Sequence, residues 1–152
     1  MFITEAIRGI LHNQILLAAV GAWFLAQVLK VPIELARTGQ ANWSLLVGTG
    51  GMPSSHSALV CGLATATGIK EGFTSAPFAV ALILATIVSY DAAGIRRAAG
   101  KQANVLNQLI DELASGHPLR DEELKEILGH SPVEVLGGAI FGIVVSWALM
   151  KV

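Results

Sequence analysis

Gly51-Met52-Pro53-Ser54-Ser55-His56-Ser57 is a turn-forming cluster that ends in a histidine and runs straight into small and apolar residues, Ala58 to Ile69. Pro and Ser ahead of an apolar run mark a helix start. His56 therefore falls at the mouth of a helix, beside backbone N–H groups that have no intrahelical partner and at the positive end of the helix dipole. That is a natural place for an anion. A second histidine has a similar setting: Gly129-His130-Ser131-Pro132 leads into Val133 to Met150. Two histidines at helix starts, with Lys and Arg elsewhere, point to a phosphate site at a membrane surface.

The composition agrees with a membrane setting. Of 152 residues, 53% are hydrophobic and only 14% charged, and the mean hydropathy is +0.63. A soluble domain carries about 25% charged residues. The length allows one domain, 1–152. The net charge of −1 gives no general attraction to nucleic acid. Cys61 is the only cysteine and lies in an apolar run. This excludes an intrachain disulfide or a thiolate zinc site and suits a small buried hydrophobe.

Outward from the opening stretch, the pattern predicts an all-α membrane bundle of about four spans. Gly9 to Leu29 lacks charge and has the length of a bilayer crossing. Lys30 to Arg37 reads as a short polar patch in which Pro32 permits a helix restart. Asn42 to Val47 reads as a re-entrant or interfacial piece that protein must cover. Ser57 to Ile69 is the second span, and Lys70-Glu71-Gly72 a tight turn. Phe73 to Tyr90 is the third span and Val133 to Met150 the fourth. Between them, 91–130 holds most of the charge and reads as a surface helical insertion. Val105, Leu106, Leu109, Ile110 and Leu113 recur at helical spacing there, and a second short helix is expected over Asp121 to Leu128. Trp23, Trp43 and Trp147 read as interfacial anchors or span packing. Gly138-x-x-x-Gly142 favours close helix packing and is a candidate seam for a homodimer.

Four spans also give a topological test. With Met1 on one side, Lys30, Arg37, His56, Arg96, Arg97 and His130 all fall on the opposite side. The excess of Lys and Arg there predicts a cytoplasmic face of a cell membrane.

Lys30-x6-Arg37, Pro53-Ser54-Ser55-His56 and His130-x3-Glu134 together resemble, in divergent form, the three-part signature of the type 2 phosphatidic acid phosphatase superfamily. The stretches from Asp91 to Gly100 and from Leu128 to Val135 resemble the small divergent PAP2 membrane proteins, which are related to acid phosphatases and vanadium-dependent haloperoxidases. The resemblance runs from Lys30 to Gly142. It implies a membrane lipid-phosphate phosphatase with no metal and no cofactor. By that resemblance His130 attacks phosphorus and becomes phosphohistidine, Glu134 orients its imidazole, and His56 protonates the leaving oxygen. Lys30, Arg37, Arg96, Arg97, Ser54 and Ser55 would hold the phosphoryl oxygens. The implied partners are the lipid bilayer and a lipid phosphate.

The chain departs from the family pattern in four places. Thr38 follows Arg37 where a proline is usual, Ser55 replaces a glycine, and position 124 is Leu where an arginine is usual. Glu134 replaces an aspartate. These changes keep open a second reading, a non-catalytic binder of lipid phosphate or a transporter component. A third, vanadate-dependent peroxidase chemistry, finds no halide pocket in the pattern. Simpler roles also fit single residues. Ser131-Pro132-Val133-Glu134 is a capping box with Pro at the first helical position, and Lys30 and Arg37 suit snorkelling to headgroups. Arg96-Arg97 suits a topology signal, and His56 a helix cap.

Overall fold

The computed structural model describes residues 2–48, 50–114 and 131–151. They form five α-helices: α1 (Phe2–Leu11), α2 (Gln14–Thr38), α3 (Ser55–Glu71), α4 (Ala76–Ala114) and α5 (Pro132–Leu149). A single 3-10 turn, Trp43–Leu46, lies between α2 and α3.

The first span begins later and ends later than its lack of charge suggests. α1 stops at Leu11, and Asn13 starts α2 by accepting the Leu16 N–H at 3.1 Å. α2 then runs 25 residues through Pro32 to a left-handed Gly39. There is no restart at Pro32. The polar patch Lys30–Arg37 is the last part of the first span, and a helix of 25 residues reaches about 38 Å.

α3 is the inner helix. It packs against α2, α4 and α5 alike, and buries Ser55, Ser57, Ala58, Val60, Gly62, Ala64, Ala66, Thr67 and Gly68 on several faces. Among the described residues three helices are long and apolar enough to cross a membrane: α2, α4 over Ala76–Ala93, and α5. The expected count of four is not reached on that measure. α3 has 17 residues and a small, partly polar composition. A helix enclosed by its neighbours needs no lipid-facing surface, so it can be short and rich in Gly, Ser and Thr.

Small residues set the packing. A Cβ at Gly138 would run into the Ser54 carbonyl, and one at Gly142 into the Ala58 carbonyl. One at Gly62 would lie 2.6 Å from Ser146 Oγ and 3.2 Å from Ala22 Cβ. Ser146 Oγ itself donates to the Ala18 carbonyl at 3.3 Å. α2, α3 and α5 thus meet backbone to backbone. The Gly138/Gly142 face expected as a homodimer seam is covered by α3 of the same chain.

The third span starts at Ala76, after Gly72 (φ 92°) and a Ser75 whose hydroxyl accepts the Phe78 N–H. It does not end near Tyr90. α4 continues unbroken for 39 residues, so the amphipathic pattern around 105–113 is the far end of the same helix and not a separate one. No Gly-Pro signal separates the two parts, and Ala-rich sequence carries the helix across. The short helix expected at Asp121 to Leu128 lies outside the described residues.

Candidate functional site

α3 and α5 start at the same end of the bundle. Ser54 caps α3: its Oγ accepts the Ser57 N–H at 3.4 Å and the Ser57 hydroxyl at 3.1 Å. Ser131 caps α5 in the same manner, accepting the Glu134 N–H at 3.3 Å, while Glu134 Oε2 accepts the Ser131 N–H at 3.0 Å. The two starts are joined directly, since the Ser54 N–H donates to the Glu134 backbone carbonyl at 3.1 Å. Met52 lies against the first turns of α5, its Cε 3.1 Å from where a Gly137 Cβ would be. Ser54 and Ser55 are buried, and His56 is half-buried.

Lys30 reaches this end from α2. Its side chain is fully buried (0% exposed), passes beside Gly51 and donates from Nζ to the Gly48 carbonyl at 3.3 Å. An ammonium in a membrane protein needs such partners, because desolvation without them is costly. One turn earlier, Gln27 Nε2 lies within 2.8–3.1 Å of the Leu45, Leu46 and Gly48 carbonyls. The expected re-entrant piece is therefore a 3-10 turn whose backbone is covered by α2. Gln27 was not singled out from the sequence. Its signal was a lone amide among apolar residues, three positions before Lys30.

The sequence-expected residues divide into three groups. Lys30, Ser54, Ser55, His56 and Glu134 are gathered around the starts of α3 and α5. Arg37 is exposed and sits two helical turns beyond Lys30, about 10 Å further along α2. Arg96 and Arg97 belong to the backbone of α4. Ala85 and Val88 of α4 pack with Val60 and Ala64 of α3, and continuing that antiparallel register carries the Arg pair about 8 Å beyond the level of His56. Their side chains, like His130, lie outside what is described. Among the described residues no group of His, Cys, Asp or Glu could hold a metal ion.

The described residues thus gather two capped helix N-termini and a buried lysine at one end of the bundle. These features define an all-helical integral membrane protein with its polar cluster at one membrane face. The chain belongs to the Divergent PAP2 family, whose model matches residues 11–145. It is 41% identical over 151 positions to the "Uncharacterized membrane protein YuiD" of Bacillus subtilis (strain 168), an alignment covering 92% of this chain and 96% of that relative. No solved structure matches it.

Proposed function

We propose that the chain hydrolyses a phosphomonoester or diphosphate of a membrane lipid, with His130 as the nucleophile. An imidazole nitrogen of His130 forms the bond to phosphorus as the bond to the lipid oxygen breaks, and His56 gives that oxygen its proton. Water then attacks the phosphohistidine, His56 takes the proton, and phosphate leaves with His130 restored. Glu134 orients His130, and the amides and hydroxyls of Ser54 and Ser55 act with Lys30, Arg37, Arg96 and Arg97 on the phosphoryl oxygens. The site would face the cytoplasm, as the excess of Lys and Arg at that end favours.

The observation that carries this reading is the bond from the Ser54 N–H to the Glu134 carbonyl at 3.1 Å. It brings Ser54 of the second motif beside Glu134 of the third, two residues far apart in sequence. Membership of a PAP2-related family adds support.

One observation favours the alternative, a lipid-phosphate binder without turnover. Glu134 Oε2 is held by the Ser131 N–H, a role that needs no histidine partner. The deciding experiment is phosphate release by the purified protein in mixed micelles with EDTA. It would use phosphatidic acid, phosphatidylglycerol phosphate and a polyprenyl diphosphate, with His130→Ala and His56→Ala as controls. Release abolished in both variants supports hydrolysis. Lipid-phosphate binding by the folded protein without release from any substrate supports the binder.

A further inference from the structure

α4 and α5 both pack on α3 but hardly meet each other, which leaves an open groove of about 340 Å³ with α3 as its floor. Cys61 and Thr65 of α3, Phe78 and Leu82 of α4, and Ile143 and Trp147 of α5 are among its lining residues. The groove lies between the apolar stretches of α4 and α5, so its mouth opens sideways at the depth of the lipid chains. Along α3 it extends from Cys61, about 9 Å below Ser55, to Ile69, about 21 Å below it. Its upper end therefore stops about 9 Å short of the polar end of the bundle, a gap that the glycerol and first carbons of a lipid can span. At its lower end Phe73 and Phe78 meet edge to face, with ring centroids 5.2 Å apart, and Lys151 Nζ sits 3.6 Å from the Trp147 ring centroid. An aromatic residue paired with a cation is typical of a membrane interface.

We infer that this groove holds one hydrocarbon chain of the lipid whose phosphate occupies the starts of α3 and α5. The inference rests on the lipid-phosphate reading above and adds to it the position of the chain. At about 30 Å³ for a group the size of water or a methylene, the groove takes roughly ten carbons. That suits a single acyl or prenyl chain, with any second chain left in the bilayer. The lining is almost wholly apolar, and its one hydroxyl, that of Thr65, donates to the Cys61 carbonyl at 2.8 Å.

The test uses the full chain in phosphatidylcholine nanodiscs containing a trace of phosphatidic acid with a mid-chain diazirine. A matching diacylglycerol probe lacks the phosphate. After photolysis, labelled peptides are mapped by mass spectrometry. The expected result is labelling concentrated on 61–69, 78–85 and 143–147 and competed by unlabelled phosphatidic acid. Ile143→Trp and Thr65→Phe, which fill the groove, should lower it about tenfold, because each excludes several methylenes. Ile87→Trp, on the exposed face of α4 opposite Phe78, Leu82 and Ala85, should leave it unchanged. Labelling spread evenly over the outer faces of α2, α4 and α5, indifferent to the fillers, would overturn the groove assignment even if phosphate release is intact. Equal groove labelling by both probes, unaffected by His56→Ala, would keep the groove as a chain site and remove its link to the phosphate.

Discussion

The backbone N–H of Ser54 donates to the backbone carbonyl of Glu134 at 3.1 Å, so the first residue of one helix start is fastened to the first turn of the other. Glycine makes the approach possible. One turn past Glu134, Gly138 lies so near the Ser54 carbonyl that no side chain fits between them.

Gly138→Ala should therefore destabilise the protein by about 1–3 kcal/mol, the usual effect of forcing a methyl into a filled contact. Gly137→Ala is the control, because the added methyl would meet only the flexible end of Met52 and should change stability by less than about 0.5 kcal/mol. Thermal unfolding in detergent compares the two. Equal melting temperatures would mean that the seam is looser than described.

Glu134→Gln separates the cap from the chemistry. Glutamine completes a capping box as glutamate does, so the bond to the Ser131 N–H survives and the melting temperature should hold. Without the carboxylate, phosphate release should fall about 100-fold, the scale on which acid–base groups contribute. Undiminished release would leave Glu134 a capping residue alone.

Lys30→Met keeps the buried stem and removes the charge. The variant loses a hydrogen bond to the Gly48 carbonyl, about 1 kcal/mol, and should fold. Its affinity for phosphatidic acid should fall at least tenfold, an effect of about 1.4 kcal/mol. Binding measured on the purified variant checks this, and wild-type affinity would remove Lys30 from the phosphate-binding set.

Gln27→Leu removes the amide donor from the Leu45 and Leu46 carbonyls, while the Gly48 carbonyl keeps Lys30. A part-buried acceptor that loses its donor costs less than the roughly 1–3 kcal/mol of a buried one, so about 1 kcal/mol is expected. Amide hydrogen exchange should accelerate across 43–50 and stay slow in the middle of α3. Unchanged exchange at 43–50 would show that another group covers this turn.

Much of the architecture can be read from the chain because its punctuation is strong. Ser-Ser-His after a proline and Ser-Pro after a histidine mark the starts of α3 and α5. Gly72 marks the turn into α4, and the uncharged runs mark the spans. Other features depend on neighbours. Pro32 looks like a break, yet α2 passes through it because packing on α3 outweighs the loss of one backbone bond. Lys30 looks like a flanking cation, and only the turn folded over it shows that it is buried. Gly138 and Gly142 announce a close contact without saying with what. Tyr90-Asp91 looks like the end of a span, but leaving the apolar layer does not require a helix to stop. Counting spans assigns Lys30 and His56 to one side of the bundle, whereas which residues are neighbours there depends on how α2, α3 and α5 pack.

The seam among α2, α3 and α5 also has a mechanical consequence. Helices that touch through glycine, alanine and serine backbone have no side-chain cushion to take up sliding, so these three behave as one stiff wedge. α4 packs on α3 through Val60, Ala64, Ala81 and Ala85 but, unlike the other three, has little purchase on a second helix, since it hardly meets α5. Breathing of the bundle should therefore fall on α4, a helix of about 58 Å whose far half extends beyond its apolar stretch. A load on that outer arm would tilt the lever and widen or narrow the cleft against α5, while the polar end stays fixed.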